Sequence, residues 1–76
     1  MVDRRKATAA LRKVGARIRE FRKERKLSQE ALAFDAGLAV NSIATIERGE
    51  ANPSVAVLLA ISRALKVRVR DLVDDI

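Results

Sequence analysis

Seventy-six residues carry 16 Lys/Arg against 10 Asp/Glu, a net charge of +6, with no Cys and no His. That inventory excludes disulfides, Cys/His zinc sites and histidine-based catalysis, and the length fits a single small domain, residues 1–76, without a deep catalytic cleft. The charge is polarised: residues 1–26 hold 11 Lys/Arg and 3 Asp/Glu (+8), whereas residues 27–76 hold 5 and 7 (−2), which suits either a basic face turned toward a polyanion or a solvated helix face.

Asp3 is placed to cap a first helix through "RRKATAALRKVGARIREFRKER". Leu11, Val14, Ile18, Phe21 and Arg25 recur on it at three- and four-residue spacing, which predicts one buried stripe. Gly15 interrupts that stripe at a cost of about 1 kcal/mol relative to Ala. The expectation is that residues 1–13 are either an extension of this helix or a separate basic arm. Lys26-Leu27 ends the element. Ser28 then caps a second helix, "QEALAFDA", with Glu30 near its positive end. Gly37 breaks the chain with the left-handed conformation a tight corner needs. A third helix covers roughly residues 40–48 and stops at Gly49.

"EANPS" reads as a turn, with Ser54 capping a fourth helix, "VAVLLAISRAL", whose Leu58, Ile61 and Leu65 point inward. A short last helix over about residues 69–75 lines up Val69, Leu72, Val73 and Ile76. The pattern is all-α: five helices, one domain, no repeat. The longest apolar run, Val55 to Ile61, falls far short of the roughly 20 residues of a membrane span. The basic N-terminus also lacks the apolar stretch of a signal peptide. The expected location is therefore the cytoplasm, at the nucleoid, with no membrane partner.

Between Gln29 and Arg48 the residues follow a strict frame. Leu32, Ala36, Leu38, Ile43 and Ile46 are apolar, Ala33 is small, and Gly37 stands at the corner. A small residue admits a crossing helix, the glycine permits the turn, and the apolar set seats the second helix on the first. Over this frame, and over "RIREFRKERKLSQEALA", "GLAVNSIATIERG", "NPS" and "LLAISRALKVRVRDL", the chain resembles the Cro and phage-repressor (Xre-type) helix-turn-helix regulators, across about residues 14–73. The resemblance implies a compact five-helix, lambda-repressor-like DNA-binding domain with the helix-turn-helix in helices two and three. It also implies a double-stranded DNA operator, usually palindromic and bound by a homodimer, and it implies no enzyme, cofactor or metal.

Carried over residue by residue, the resemblance gives Gln29 a contact to phosphate or an adjacent base. Ala39, Val40, Asn41, Ser42, Ala44, Thr45 and Arg48 fall on the groove-facing side of the reading helix. Asn41 has the donor and acceptor to pair bidentately with adenine, Thr45 offers a hydroxyl and a methyl, and Ala39, Val40 and Ala44 suit thymine methyls. Arg48 and Ser42 suit phosphate better than bases. Arg4, Arg5 and Lys6 join Gln29 and Arg48 as sources of phosphate affinity. Arg22 and Glu47 match a pair that forms an inter-helix salt bridge in the family. Val69, Leu72, Val73 and Ile76 match a region that often joins two subunits, against the simpler alternative that Val69 and Leu72 close the monomer core.

Three departures from the family pattern stand out. Ala39 replaces the usual Ser or Thr cap, Lys26 and Lys66 stand where glycine is common, and Arg68 stands where Ser is common. An antitoxin-type module holding a toxin partner, with DNA binding used for autoregulation, is the competing reading, and transcription machinery is a further candidate partner.

Overall fold

A computed structural model describes residues 3–76. Five helices follow in order: α1 (Arg4–Glu24), α2 (Gln29–Ala36), α3 (Val40–Glu47), α4 (Val55–Leu65) and α5 (Val69–Val73). Residues 1 and 2 of the expected N-terminal extension lie outside the described residues. The rest of it, from Arg4 to Lys13, is helical and continuous with α1 through Gly15, the first of the two alternatives the sequence left open. Asp3 caps α1 by accepting from the Arg5 backbone N–H at 2.9 Å.

Gly15 has a different purpose from the one its helix propensity suggests. A Cβ there would fall 2.6 Å from the Glu47 carbonyl oxygen and closer still to that of Ile46. Glycine therefore lets the α1 backbone lie directly against the last turn of α3. The propensity loss of about 1 kcal/mol is accepted for a backbone approach that no other residue permits.

The core consists of Val14 and Ile18 from α1, Leu32 and Ala33 from α2, Ile43 and Ile46 from α3, Ile61 and Leu65 from α4, and Leu72 from α5. Ala33 sits where α2 must come close to its neighbours, and a larger side chain there would overpack the contact. Leu11, Phe21 and Leu58 are half-buried rather than fully inward. Arg25, the last member of the predicted α1 stripe, is exposed. Its guanidinium lies 5.2 Å from the Phe21 ring centroid and its Nε donates to the Leu65 carbonyl. The stripe thus ends in a cation that caps the C-terminal end of α4 while its stem covers an aromatic face.

Four helices close through the same backbone loop. The N–H of Leu27, Leu38, Glu50 and Val67 bonds back to the carbonyl of Arg22, Ala33, Thr45 and Ser62, respectively. The residue before each donor is left-handed: Lys26 at φ 56°, Gly37 at 71°, Gly49 at 74° and Lys66 at 60°. Ser28 and Ser54 cap α2 and α4 as expected, accepting from Ala31 and Val57 at 3.0 and 3.1 Å. At the start of α5 the Asp71 carboxylate accepts from the Arg68 N–H at 2.8 Å. That helix ends at Val73, two residues earlier than its apolar spacing predicts, because Asp74 is extended.

Candidate nucleic-acid interface

The corner between α2 and α3 is made by Gly37, whose left-handed φ lets the Leu38 N–H reach Ala33 at 2.8 Å. A Cβ at Gly37 would meet nothing within 4 Å, so the requirement there is conformational and not steric. Leu38 then tucks against the core and α3 starts at Val40. Ala39 caps it only with its backbone carbonyl, which accepts from Ser42 and Ile43, and no side-chain cap bond forms.

α3 divides along its length. Ile43, Ile46 and Glu47 are buried, while Ala39, Val40, Asn41 and Arg48 are exposed, and Ser42, Ala44 and Thr45 lie half-buried between them. Positions 40, 41, 44, 45 and 48 share one side of a helix by their three- and four-residue spacing. The burial pattern leaves that side open to a ligand, and Val40 keeps 43% of its surface accessible. It does not pack into the core.

Arg22 and Glu47 hold the opposite side. Arg22 Nε donates to Glu47 Oε2 at 2.7 Å and Nη2 to Oε1 at 3.0 Å, a two-point pair in which both residues are buried. Arg22 Nη1 donates at 2.8 Å to the Leu27 carbonyl, and Gln29 Nε2 donates at 3.1 Å to Glu47 Oε1. α1, the α1–α2 turn, the first residue of α2 and the last residue of α3 thus meet at the Arg22–Glu47 pair, the turn through the guanidinium and Gln29 through the carboxylate. The hydrogen bonding of Arg22 to Glu47 raises the Arg22 pKa above its ordinary value despite the opposing effect of burial, with Coulombic help from Glu47 and Glu30. Burying such a pair is costly unless every polar atom is satisfied, and among the described residues no buried side-chain N or O lacks a partner.

Two side chains expected to face a ligand freely are partly committed inside the protein. Gln29 is half-buried, with its amide nitrogen turned toward Glu47. The Thr45 hydroxyl donates to the carbonyls of Asn41 and Ser42 at 3.0 and 3.1 Å, so its one proton is used within α3 and the oxygen can serve a ligand only as an acceptor. Arg48 pairs with Glu50 at 2.9 Å in an exposed contact, the kind worth at most about 1 kcal/mol and readily exchanged for another anion. Sequence reasoning did not single out Arg12 among the cations of the first helix. It lies over the corner after α3, so close that a Cβ on Gly49 would meet Arg12 Cγ at 2.7 Å. Its exposed charge therefore adjoins the end of α3. The positive φ of Gly49 is the only local hint, and it does not name the neighbour.

At the far end, Leu72 is fully buried and completes the monomer core. This corrects its assignment to a subunit interface, because it has no surface to offer. Val69 is half-buried, and Val73 and Ile76 remain exposed. No helix among the described residues is long and apolar enough to cross a membrane.

The helix-turn-helix family model matches residues 18–72, which spans the corner, the hub and all of α2 to α4. The chain belongs to the helix-turn-helix family. It is 45% identical over 62 residues to the immunity repressor protein of Bacillus phage phi105, covering 82% of this chain and 43% of that protein. It is 40% identical over 63 residues to the HTH-type transcriptional regulator SinR of Bacillus subtilis (strain 168), covering 82% and 57%. The chain thus spans about half the length of these curated relatives. Its fold superposes with a TM-score of 0.82 on the crystal structure of the restriction-modification controller protein C.AhdI from Aeromonas hydrophila, at 42% identity over 84% of this chain and 97% of that one. The family match begins at Ile18, so the first two thirds of α1, Arg4 to Arg17, lie beyond it.

Proposed function

We propose that this chain is a non-enzymatic, sequence-specific regulator of transcription that binds double-stranded DNA, with α3 in the major groove. The observation that carries the reading is the division of α3: one side locked by Ile43, Ile46 and the Arg22–Glu47–Gln29 hub, the other accessible through Val40, Asn41, Ala44, Thr45 and Arg48. A reading helix needs both properties, because base contacts demand a fixed position and free side chains.

Affinity in this reading comes largely from phosphates and released counterions. Arg48, Arg12, Arg4 and Arg5 are exposed cations available for it, and the first backbone N–H groups of α2 favour an anion at Gln29. Asn41 supplies the bidentate contact, most naturally to adenine. Val40, Ala39, Ala44 and the Thr45 methyl suit thymine methyl groups, and Ser42 suits a phosphate. The readout is modest, weighted to A·T pairs and supplemented by DNA shape. A homodimer on a palindromic operator, two reading helices about 34 Å apart, fits this arrangement, and the cytoplasm is the compartment where such a protein works.

Selection of bound sequences from a random DNA pool tests the proposal, followed by competition between the selected site and a scrambled one at fixed salt. Asn41→Ala is expected to lower the ratio of the two affinities about tenfold, the scale of one lost bidentate pair. If Asn41→Ala and Thr45→Ala both leave that ratio unchanged, α3 is not the reading element. Removing phosphate contacts by Arg12→Ala should instead weaken both sites alike and reduce the salt slope by about one ion.

A further inference from the structure

Residues 27–54, which hold α2, the corner and α3, carry one cation, Arg48, against four acids, Glu30, Asp35, Glu47 and Glu50, a net charge of −3. That sign opposes a polyanion, so the state of the single cation decides what the segment's own charge adds to binding. Glu47 is neutralised by Arg22 in the buried hub. Glu30 and Asp35 are exposed on α2 and make no ion pair among the described residues. Glu50 instead takes Arg48: its Oε2 accepts from Arg48 Nε at 2.9 Å, and both side chains are more than half exposed.

The corner that closes α3 sets this pair. Arg48 follows the helix, Gly49 takes a φ of 74°, and the Glu50 N–H bonds back to the Thr45 carbonyl at 3.0 Å. The backbone thus returns Glu50 to the side of Arg48. Their contact has one point, where Arg22 and Glu47 share two, and it lies in water, so a phosphate can replace the carboxylate. Arg12, above Gly49, makes no ion pair among the described residues and keeps its whole charge.

We propose that Glu50 is a sequence-blind brake on DNA affinity: it occupies Arg48 in the free protein, and any duplex must displace it to gain that phosphate contact. The inference rests on the DNA reading of α3 and adds a control on its strength. Without the carboxylate, Arg48 would meet a phosphate with its full charge. With it the pair is neutral, and the displaced carboxylate stays beside the duplex, where it draws a cation back from solution. Neither effect depends on base sequence, so Glu50 lowers affinity for operator and random DNA alike.

Binding of the full chain to the selected site and to its scrambled form is measured over a salt series for the wild type, Glu50→Gln, Arg48→Ala and the double variant. Gln keeps the length of the side chain without its charge, and both positions are exposed, so the corner is retained; matching far-ultraviolet circular dichroism checks this. Glu50→Gln is expected to bind both DNAs about three- to fivefold more tightly at low salt, the scale of one exposed pair. The ratio between the two DNAs should stay the same, and the salt dependence should steepen by up to about one ion. Most of that gain should vanish in the Arg48→Ala background. A gain undiminished without Arg48 would mean that Glu50 repels the duplex directly, which overturns the brake. Loss of affinity for the selected site alone would make Glu50 an acceptor for a cytosine amino group and overturns it too, as does no change on either DNA. In these three cases the reading of α3 stands. If the wild type binds both DNAs equally, the sequence reading fails, while Glu50→Gln still decides the brake on either DNA.

Discussion

Lys26 and Lys66 end α1 and α4 in the backbone conformation that Gly37 and Gly49 adopt at the ends of α2 and α3, and each of the four corners is closed by the same back-bonded N–H. The two glycine corners bracket α3, whereas the lysine corners lie outside it. A left-handed lysine costs roughly 1–2 kcal/mol, offset in part by a cation beside unpaired carbonyls at the negative helix end. The glycines differ from each other as well. A Cβ on Gly37 would find open space, and one on Gly49 would strike the Arg12 backbone and side chain. The hydrogen bonds define the shape of a helix corner, and the neighbours decide which residue types it tolerates. The corner after α3 is the strictest because α1 runs directly over it.

Whether the corners or the hub between them hold α3 in place is separated by Glu47→Ala. Stranding the buried Arg22 guanidinium is expected to cost about 3 kcal/mol or more, the largest effect among these variants. For a chain of this size that lowers the melting temperature by well over 10 °C. A smaller loss than that of Gly49→Ala would shift the credit from the hub to the corners. Gly49→Ala combines left-handed strain with a collision against Arg12 and should cost about 2–3 kcal/mol in a denaturant titration. Gly37→Ala meets only the conformational term and should cost about 1 kcal/mol. Equal losses at the two glycines would mean that α1 yields at Arg12.

The smallest effects run the other way. Lys66→Gly and Lys26→Gly are each expected to raise stability by about 0.5–1 kcal/mol, since relief of left-handed strain exceeds the added entropy of an unfolded glycine. A lowered melting temperature for both would show that the lysine side chains contribute more to their corners than their backbones cost.

Much of this molecule follows from short-range chemistry and was legible along the chain. Ser28 and Ser54 announce α2 and α4 because a hydroxyl two to three residues ahead of free N–H groups satisfies them locally. Gly37 announces its corner because few other residues adopt that φ readily. The three-residue spacing of Ile43 and Ile46 marks the side of α3 that turns inward, and so by subtraction the side left exposed. The Arg22–Glu47 pair, 25 residues apart, was legible only through the family resemblance, as no periodicity links them. Tertiary packing alone decided the rest. Gly15 looks like a weak point in a helix until Ile46 and Glu47 lie against it, Gln29 looks like a free ligand contact until Glu47 claims its amide, and Leu72 looks like interface until α1 and α4 cover it. In each case the deciding atom belongs to a residue remote in the chain, and local propensity carries no information about what a folded neighbour will occupy.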